Sequence, residues 1–279
     1  MLELAGIRVD ARSVGGIETA IDLPDWKVCL DVGRAARHLL RRELVLFTHA
    51  HVDHLGGIAY HTATRSLLGM RPPTYVVPAE CVEPLGRLFE AWRDLDRSEM
   101  RHTLVPLRPG ESHAIRRDLR AEAFAVSHTV PSQGYLFVQT KKSLDPRFAG
   151  RSQRELAQLA RAGERIDTAT EVPELAFCGD TRIEGLDAHP DVRRARVLIL
   201  ECTFLDDRVP RDEARACGHV HVDEVAERAD WFENERILLT HFSSRYRREE
   251  IETLLVKKLP ARLLDRVVPL LPDPDAGRD

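Results

Sequence analysis

The stretch Thr48-His49-Ala50-His51-Val52-Asp53-His54 carries three imidazoles and a carboxylate within the six positions 49–54. It follows Leu44-Val45-Leu46-Phe47, an apolar run of strand length. On an extended chain residues two apart project to one side, so His49 and His51 can face one metal ion. Asp53 and His54 come where the chain must leave the strand. Gly56 and Gly57 remove side-chain bulk there and let the backbone pack tightly around the site. Imidazole and carboxylate donors of this kind suit zinc, with manganese or iron as alternatives.

Working outward, further ligands are expected just past other strands. His128 follows Phe124-Ala125-Val126-Ser127, Asp180 follows Ala176-Phe177-Cys178-Gly179, and His241 follows Ile237-Leu238-Leu239-Thr240. Standing at strand ends, these residues can meet the first cluster along one edge of a sheet. Strands are predicted over 28–30, 44–47, 74–77, 104–107, 121–126, 135–139, 175–178, 197–200 and 237–239. Helical periodicity covers 56–70, 83–97, 223–232 and 248–258. With no repeat and no low-complexity linker, strands and interspersed helices point to one α/β domain over 1–279. Residues 141–167 differ. They interrupt the strand pattern with a basic arm that includes a predicted helix over 153–161. Lys141, Lys142, Arg147, Arg151, Arg154, Arg161 and Arg165 stand there against Asp145, Glu155, Glu164 and Asp167.

Composition narrows the class. At 279 residues, 43% hydrophobic and 31% charged, the chain can bury a substantial core, which excludes disorder. The N-terminus lacks a basic segment followed by an apolar core, and no apolar run approaches the roughly 20 residues that span a bilayer. The chain therefore reads as cytoplasmic, with no membrane partner. Five cysteines without a CxxC pair argue against a disulfide framework. Four are expected in the core, and zinc ligation by cysteine is not expected even at Cys217, close to His219. A net charge of −4 provides no general attraction to nucleic acid, so any RNA footprint must be local, with the 141–167 arm as its candidate.

The HxHxDH run, His128, Gly179-Asp180-Thr181 and His241 resemble the motif pattern of the metallo-β-lactamase superfamily. Phe177-Cys178-Gly179-Asp180-Thr181-Arg182, Glu201-Cys202-Thr203-Phe204 and Leu239-Thr240-His241-Phe242-Ser243-Ser244-Arg245-Tyr246 resemble its ribonuclease Z branch, whose members remove 3′ trailers from tRNA precursors. The resemblance implies a four-layer αββα sandwich with metals on the edge between two sheets. It implies one zinc on His49, His51 and His128, a second on Asp53, His54 and His241, and Asp180 bridging them. A metal-bound hydroxide would attack the phosphodiester. Two divalent ions against Asp53, Asp180 and that hydroxide leave the site net positive and able to accept an anionic diester.

Asp31, after Val28-Cys29-Leu30, resembles the family's first-motif aspartate and is read as orienting a ligand histidine. His219, in Gly218-His219-Val220-His221, matches the family's Gly-His motif. It is the candidate general acid, with Glu201 to orient it and His221 as a conceivable substitute. Arg245 and the cations of the arm are candidate RNA contacts. The family usually has Ser or Thr where Val220 stands, and the glycine-proline hairpin of its long arm is not evident. The resemblance also suggests a homodimer. The alternative is a hydrolase of a small phosphodiester or ester, such as a cyclic nucleotide. Scattered or self-paired arginines in the arm, rather than one open surface of Arg147, Arg151, Arg154 and Arg161 facing the metals, would favour that alternative.

Overall fold

The apolar runs are hydrophobic at every position because their strands are buried on both faces. In the strand Val197–Glu201, Val197 and Ile199 point to one core while Leu198 and Leu200 point to another. The computed structural model describes residues 1–272. The C-terminal tail, Leu271 to Asp279, is expected to fray; from 273 on it lies outside the described residues.

The first sheet runs in sequence order: β1 Leu2–Leu4, β2 Ile7–Val14, β3 Glu18–Leu23, β4 Val28–Leu30, β5 Leu44–Leu46, β6 Thr74–Pro78 and β7 Thr103–Leu107. The second contains β8 Ser112–Arg116, β9 Leu119–Ala125, β10 Gln133–Leu144, β11 Asp167–Phe177, β12 Val197–Glu201, β13 Arg236–Thr240 and β14 Val267–Pro269, again neighbour to neighbour. Inward residues of both sheets form the central core, among them Val9, Ile21, Leu46 and Val76 against Tyr135, Phe137, Phe177 and Ile199. The outer face of the first sheet, with Val45, Phe47 and Tyr75, takes Ile58, Leu85 and Phe89 from its helices. On the other side Leu198, Leu200 and Leu239 take Val222, Val225, Ile251 and Leu255. These are the four layers of an αββα sandwich.

The sheets are also tied by hydrogen bonds at the edge that carries the histidines. Tyr135 Oη donates to the Phe47 carbonyl at 2.7 Å, and the Gln133 amide donates to the Thr48 carbonyl at 3.0 Å. Burial pushes the Tyr135 hydroxyl far above its ordinary pKa, so it stays a donor.

Several expectations need correction. The helices occupy Ile58–Leu67, Val82–Asp96 and Arg248–Lys258, the last as predicted. The predicted 223–232 helix ends at Glu227 and is followed by a single 3-10 turn, Ala229–Trp231. Strands β1 to β3 were not predicted, although Ile7, Val9 and Ser13 are buried at alternate positions between exposed or partly exposed charges.

The arm differs most. Residues 141–144 and 167–170 do not interrupt the strands. They extend β10 and β11 into a two-stranded ribbon, with Thr140 opposite Glu171 and Leu144 opposite Asp167. The helix Gln153–Arg161 sits beyond the ribbon with a Ser152–Glu155 capping box and no buried residue. Its polarity has a topological consequence. Gln133 and Phe177 lie at the histidine edge, so the arm leaves from the opposite end, about 35 Å along the strand at ~3.3 Å per residue.

Candidate metal centre

Strand β5 ends at Leu46, and residues 47–50 run beyond it as a loop rather than as strand. His51 then N-caps the short helix Val52–Leu55, which carries Asp53 and His54. The Val32 and Gly33 amides both donate to the His54 carbonyl at 3.0 Å, and the Gly57 amide donates to the Gly33 carbonyl at 2.7 Å, which pins that helix. From the second sheet, His128 follows β9, Asp180 follows β11 and His241 follows β13. Seven side chains thus converge from both sheets.

They fall into groups that can each hold a cation. Ligand atoms of His49, His51, His128 and Asp180 lie within 4.8 Å of one another, as do those of Asp53, His54 and His241. Asp180 touches both groups: its Oδ2 is 3.8 Å from His49 Nε2 and 3.4 Å from His241 Nε2, and its Oδ1 is 3.3 Å from His54 Nε2. His128 Nε2 is 3.2 Å from His51 Nδ1. His49 Nε2 is buried and has no hydrogen-bond partner among the described residues, as a nitrogen reserved for a metal should be. Asp180, His219 and His241 form a third, overlapping group.

Electrostatics agree with that fit. Burial pushes His49 well below the ordinary histidine range and lowers His51 and His128 as well, so these three are neutral with a lone pair to offer. Burial also opposes ionisation of Asp180 and Asp53. Even so, His241 and His54 hold both carboxyls below the ordinary aspartate range. His54, buried between Asp180 and Asp31, is raised well above the ordinary histidine value by those two carboxylates despite its burial. Negative charge in the cluster therefore draws positive charge inward. The backbone is strained here too: Asp31 at φ 54° and His241 at φ 60° are non-glycine residues in the left-handed region.

A buried carboxylate backs each side of the cluster. Asp31 accepts from His54 Nδ1, from the Thr48 amide and from Thr48 Oγ1, each at 2.8 Å. Glu201 accepts from His219 Nδ1 at 2.9 Å, from Thr203 Oγ1 at 2.7 Å, and from the amides of Thr181, Thr203 and Val220. The His219 side chain retains 16% of its exposure, beside the cluster. Burial lowers its pKa, but the Glu201 carboxylate, with help from Asp180, outweighs that and lifts it to about 9.

A domain model described as the β-lactamase superfamily domain matches residues 30–242. A tRNase Z of Arabidopsis thaliana is 40% identical over 271 residues, which cover 96% of either chain. A nuclear ribonuclease Z of Triticum aestivum is 40% identical over 165 residues, 59% of this chain and 94% of its own. The chain belongs to the tRNase Z family of the β-lactamase superfamily. The short form of human tRNase Z shares the fold at TM-score 0.59 and 20% identity, covering 85% of this chain and 93% of its own. A metallo-β-lactamase fold protein of Bacillus subtilis does so at TM-score 0.64 and 13% identity, covering 94% and 95%.

Within this tRNase Z family chain, the remaining candidates separate. His221 N-caps the helix Val222–Glu227, with Nδ1 accepting from the Asp223 amide, and is buried away from the role of a substitute acid. Cys217 is exposed and in no metal-capable group among the described residues, and the other four cysteines are buried. Arg245 is exposed, four residues past His241. In the arm, five of the seven cations are paired: Lys141 with Glu174, Lys142 and Arg165 with Asp167, Arg147 with Asp145, and Arg151 with Glu155. Arg154 and Arg161 have no carboxylate partner among the described residues. The arm is therefore not an open sheet of seven cations facing the cluster. Sequence reasoning missed Gly16, whose amide donates to Asp53 Oδ2 at 3.0 Å, and Gly218, whose carbonyl accepts from His128 Nδ1 at 2.9 Å. Gly218 stood inside a quoted motif. Gly16 lies in a turn remote in sequence and carried no signal.

Proposed function

We propose that this protein is a dinuclear-metal endoribonuclease that cleaves tRNA precursors at the 3′ end. The observation that carries this reading is the pair of metal-capable groups sharing Asp180, with the Glu201-backed His219 at their side. His49, His51 and His128 would hold one ion, and Asp53, His54 and His241 the other, zinc being the metal that suits these donors. Bound there, the ions would supply an activated water and a positive field for the phosphoryl oxygens. Asp53, tied by the Gly16 amide, stays at the edge of the cluster beside His241. His219 donates its Nε2 proton to the departing 3′ oxygen, and Glu201 holds the ring by Nδ1 while it does so. The products are a 3′-hydroxyl on the tRNA and a 5′-phosphate on the trailer.

The relatives named tRNase Z favour this substrate over a small diester. The pairing within the arm favours the small diester, since it removes most of the expected phosphate grip. The arm's position opposite the cluster supports a homodimer in which one subunit's arm serves the other's site, and a cytoplasmic location suits the free cysteines. The test is a precursor tRNA with a 3′ trailer, incubated with zinc- or manganese-loaded protein beside a chromogenic phosphodiester and an Asp180→Ala control. Cleavage at the base of the trailer that disappears in the control establishes the reading. Turnover of the small diester alone moves the substrate to a small molecule.

A further inference from the structure

Two buried carboxylates reach two histidines of the cluster through a hydroxyl rather than directly. Thr48 Oγ1 donates to Asp31 Oδ2 at 2.8 Å and lies 3.0 Å from His49 Nδ1. Thr203 Oγ1 donates to Glu201 Oε2 at 2.7 Å and lies 3.0 Å from His241 Nδ1. A threonine hydroxyl has one hydrogen. Each carboxylate already accepts from a backbone amide and an imidazole, and one of its oxygens takes the hydroxyl hydrogen. The threonine oxygen then has only a lone pair for the ring, and only a protonated Nδ1 can use it. Each ring's own lone pair is left on Nε2, the nitrogen that faces Asp180.

We propose that Thr48 and Thr203 are positioning residues that lock His49 and His241 as Nδ1–H tautomers, one threonine for each metal position. The inference rests on the metal reading of the cluster. The two devices are assembled differently: Thr48 adjoins its histidine in the chain, whereas Thr203 stands on the neighbouring strand's end. What they share is the order carboxylate, hydroxyl, imidazole. Local packing preserves the first of them, since a Cβ at Gly179 would come within 2.7 Å of Thr48 Cβ.

The test compares Thr48→Val and Thr203→Val with the corresponding serine variants in the full chain. Zinc affinity is read by competition with a chromogenic chelator, and the histidine tautomers of the zinc-free protein by nitrogen–proton NMR correlations. Each valine variant is expected to lose roughly 10- to 100-fold in affinity for one of two zinc ions. It should also lose the Nδ1–H signature at its own histidine, while serine keeps both. Valine variants that bind zinc as tightly as the native chain overturn the proposal. Serine variants that fall with valine overturn it as well, because the methyl and not the hydroxyl would then matter. A native chain that binds no zinc overturns the metal reading instead, and the zinc-free tautomers still decide about the threonines.

Discussion

Glu201 and His219 show how one contact divides roles. Glu201 is almost wholly buried and its oxygens are taken by three amides, a hydroxyl and the His219 ring, so in the proposed reaction it would act through His219 as a positioning residue. His219 can give up a proton only while charged, so the rate should fall as pH rises through its pKa. Glu201 is the main partner that lifts that pKa to about 9, so Glu201→Gln lowers it. The alkaline limb of kcat should then move to lower pH by on the order of one unit, the size of shift a single charged neighbour produces. A pH–rate profile of the small diester checks this, and an unmoved limb removes His219 from the proton transfer. Both residues were legible as a motif. Their expected contact is present at 2.9 Å across 18 positions of chain, and the fold adds the three amides and the hydroxyl that hold Glu201 in place.

At the scale of elements, the turn and short helix that carry the histidines depend on one close approach. A Cβ at Gly57 would lie 2.6 Å from the Ala35 amide nitrogen and 2.8 Å from the Gly33 carbonyl oxygen, both backbone atoms that cannot rotate away. Gly57→Ala should therefore lose about 1–3 kcal/mol of stability, the usual cost of overpacking, with an unchanged denaturant slope in urea unfolding. Native-like stability would show that the loop gives way easily. The helix Gln153–Arg161 makes a different prediction. Because Arg154 and Arg161 are its cations without a carboxylate partner, replacing both by alanine should weaken RNA binding and reduce the salt slope by about 2. Hydrolysis of a small diester should stay within about twofold. An equal loss of both activities would sink this division between arm and site.

Over the whole molecule, the centre doubles as a joint. His49, His51, Asp53 and His54 arrive on the loop and short helix that follow β5 of the first sheet, and His128, Asp180 and His241 on loops of the second, so bound cations would tie the two halves. A ligand present at 100 times its Kd adds about 2.7 kcal/mol to stability. For a chain of this size that corresponds to a Tm change on the order of 5–10 °C. Chelation should lower the melting temperature by that amount, and re-addition of zinc should restore it. A melting curve indifferent to chelator would mean that the seven residues hold no ion.

The sequence alone determined which donors gather in the cluster and the layers of the fold. Imidazole and carboxylate at strand ends have few other uses in such a pattern, and strands buried on both faces must be apolar throughout, which makes β4, β5, β12 and β13 easy to read. Strands β1 and β2 were harder because exposed and partly exposed charges alternate with their core residues, and β3 because it carries the buried polar residues Thr19 and Asp22. Tertiary structure alone decided three things. It set the arm at the end of the ribbon away from the cluster, since only strand pairing fixes which end a hairpin leaves by. It paired most of the arm's cations with acids that a charge count had treated as free. It also joined Asp31 to His49 and Glu201 to His241 through threonine hydroxyls, because hydrogen-bond partners in space have no signature along the chain.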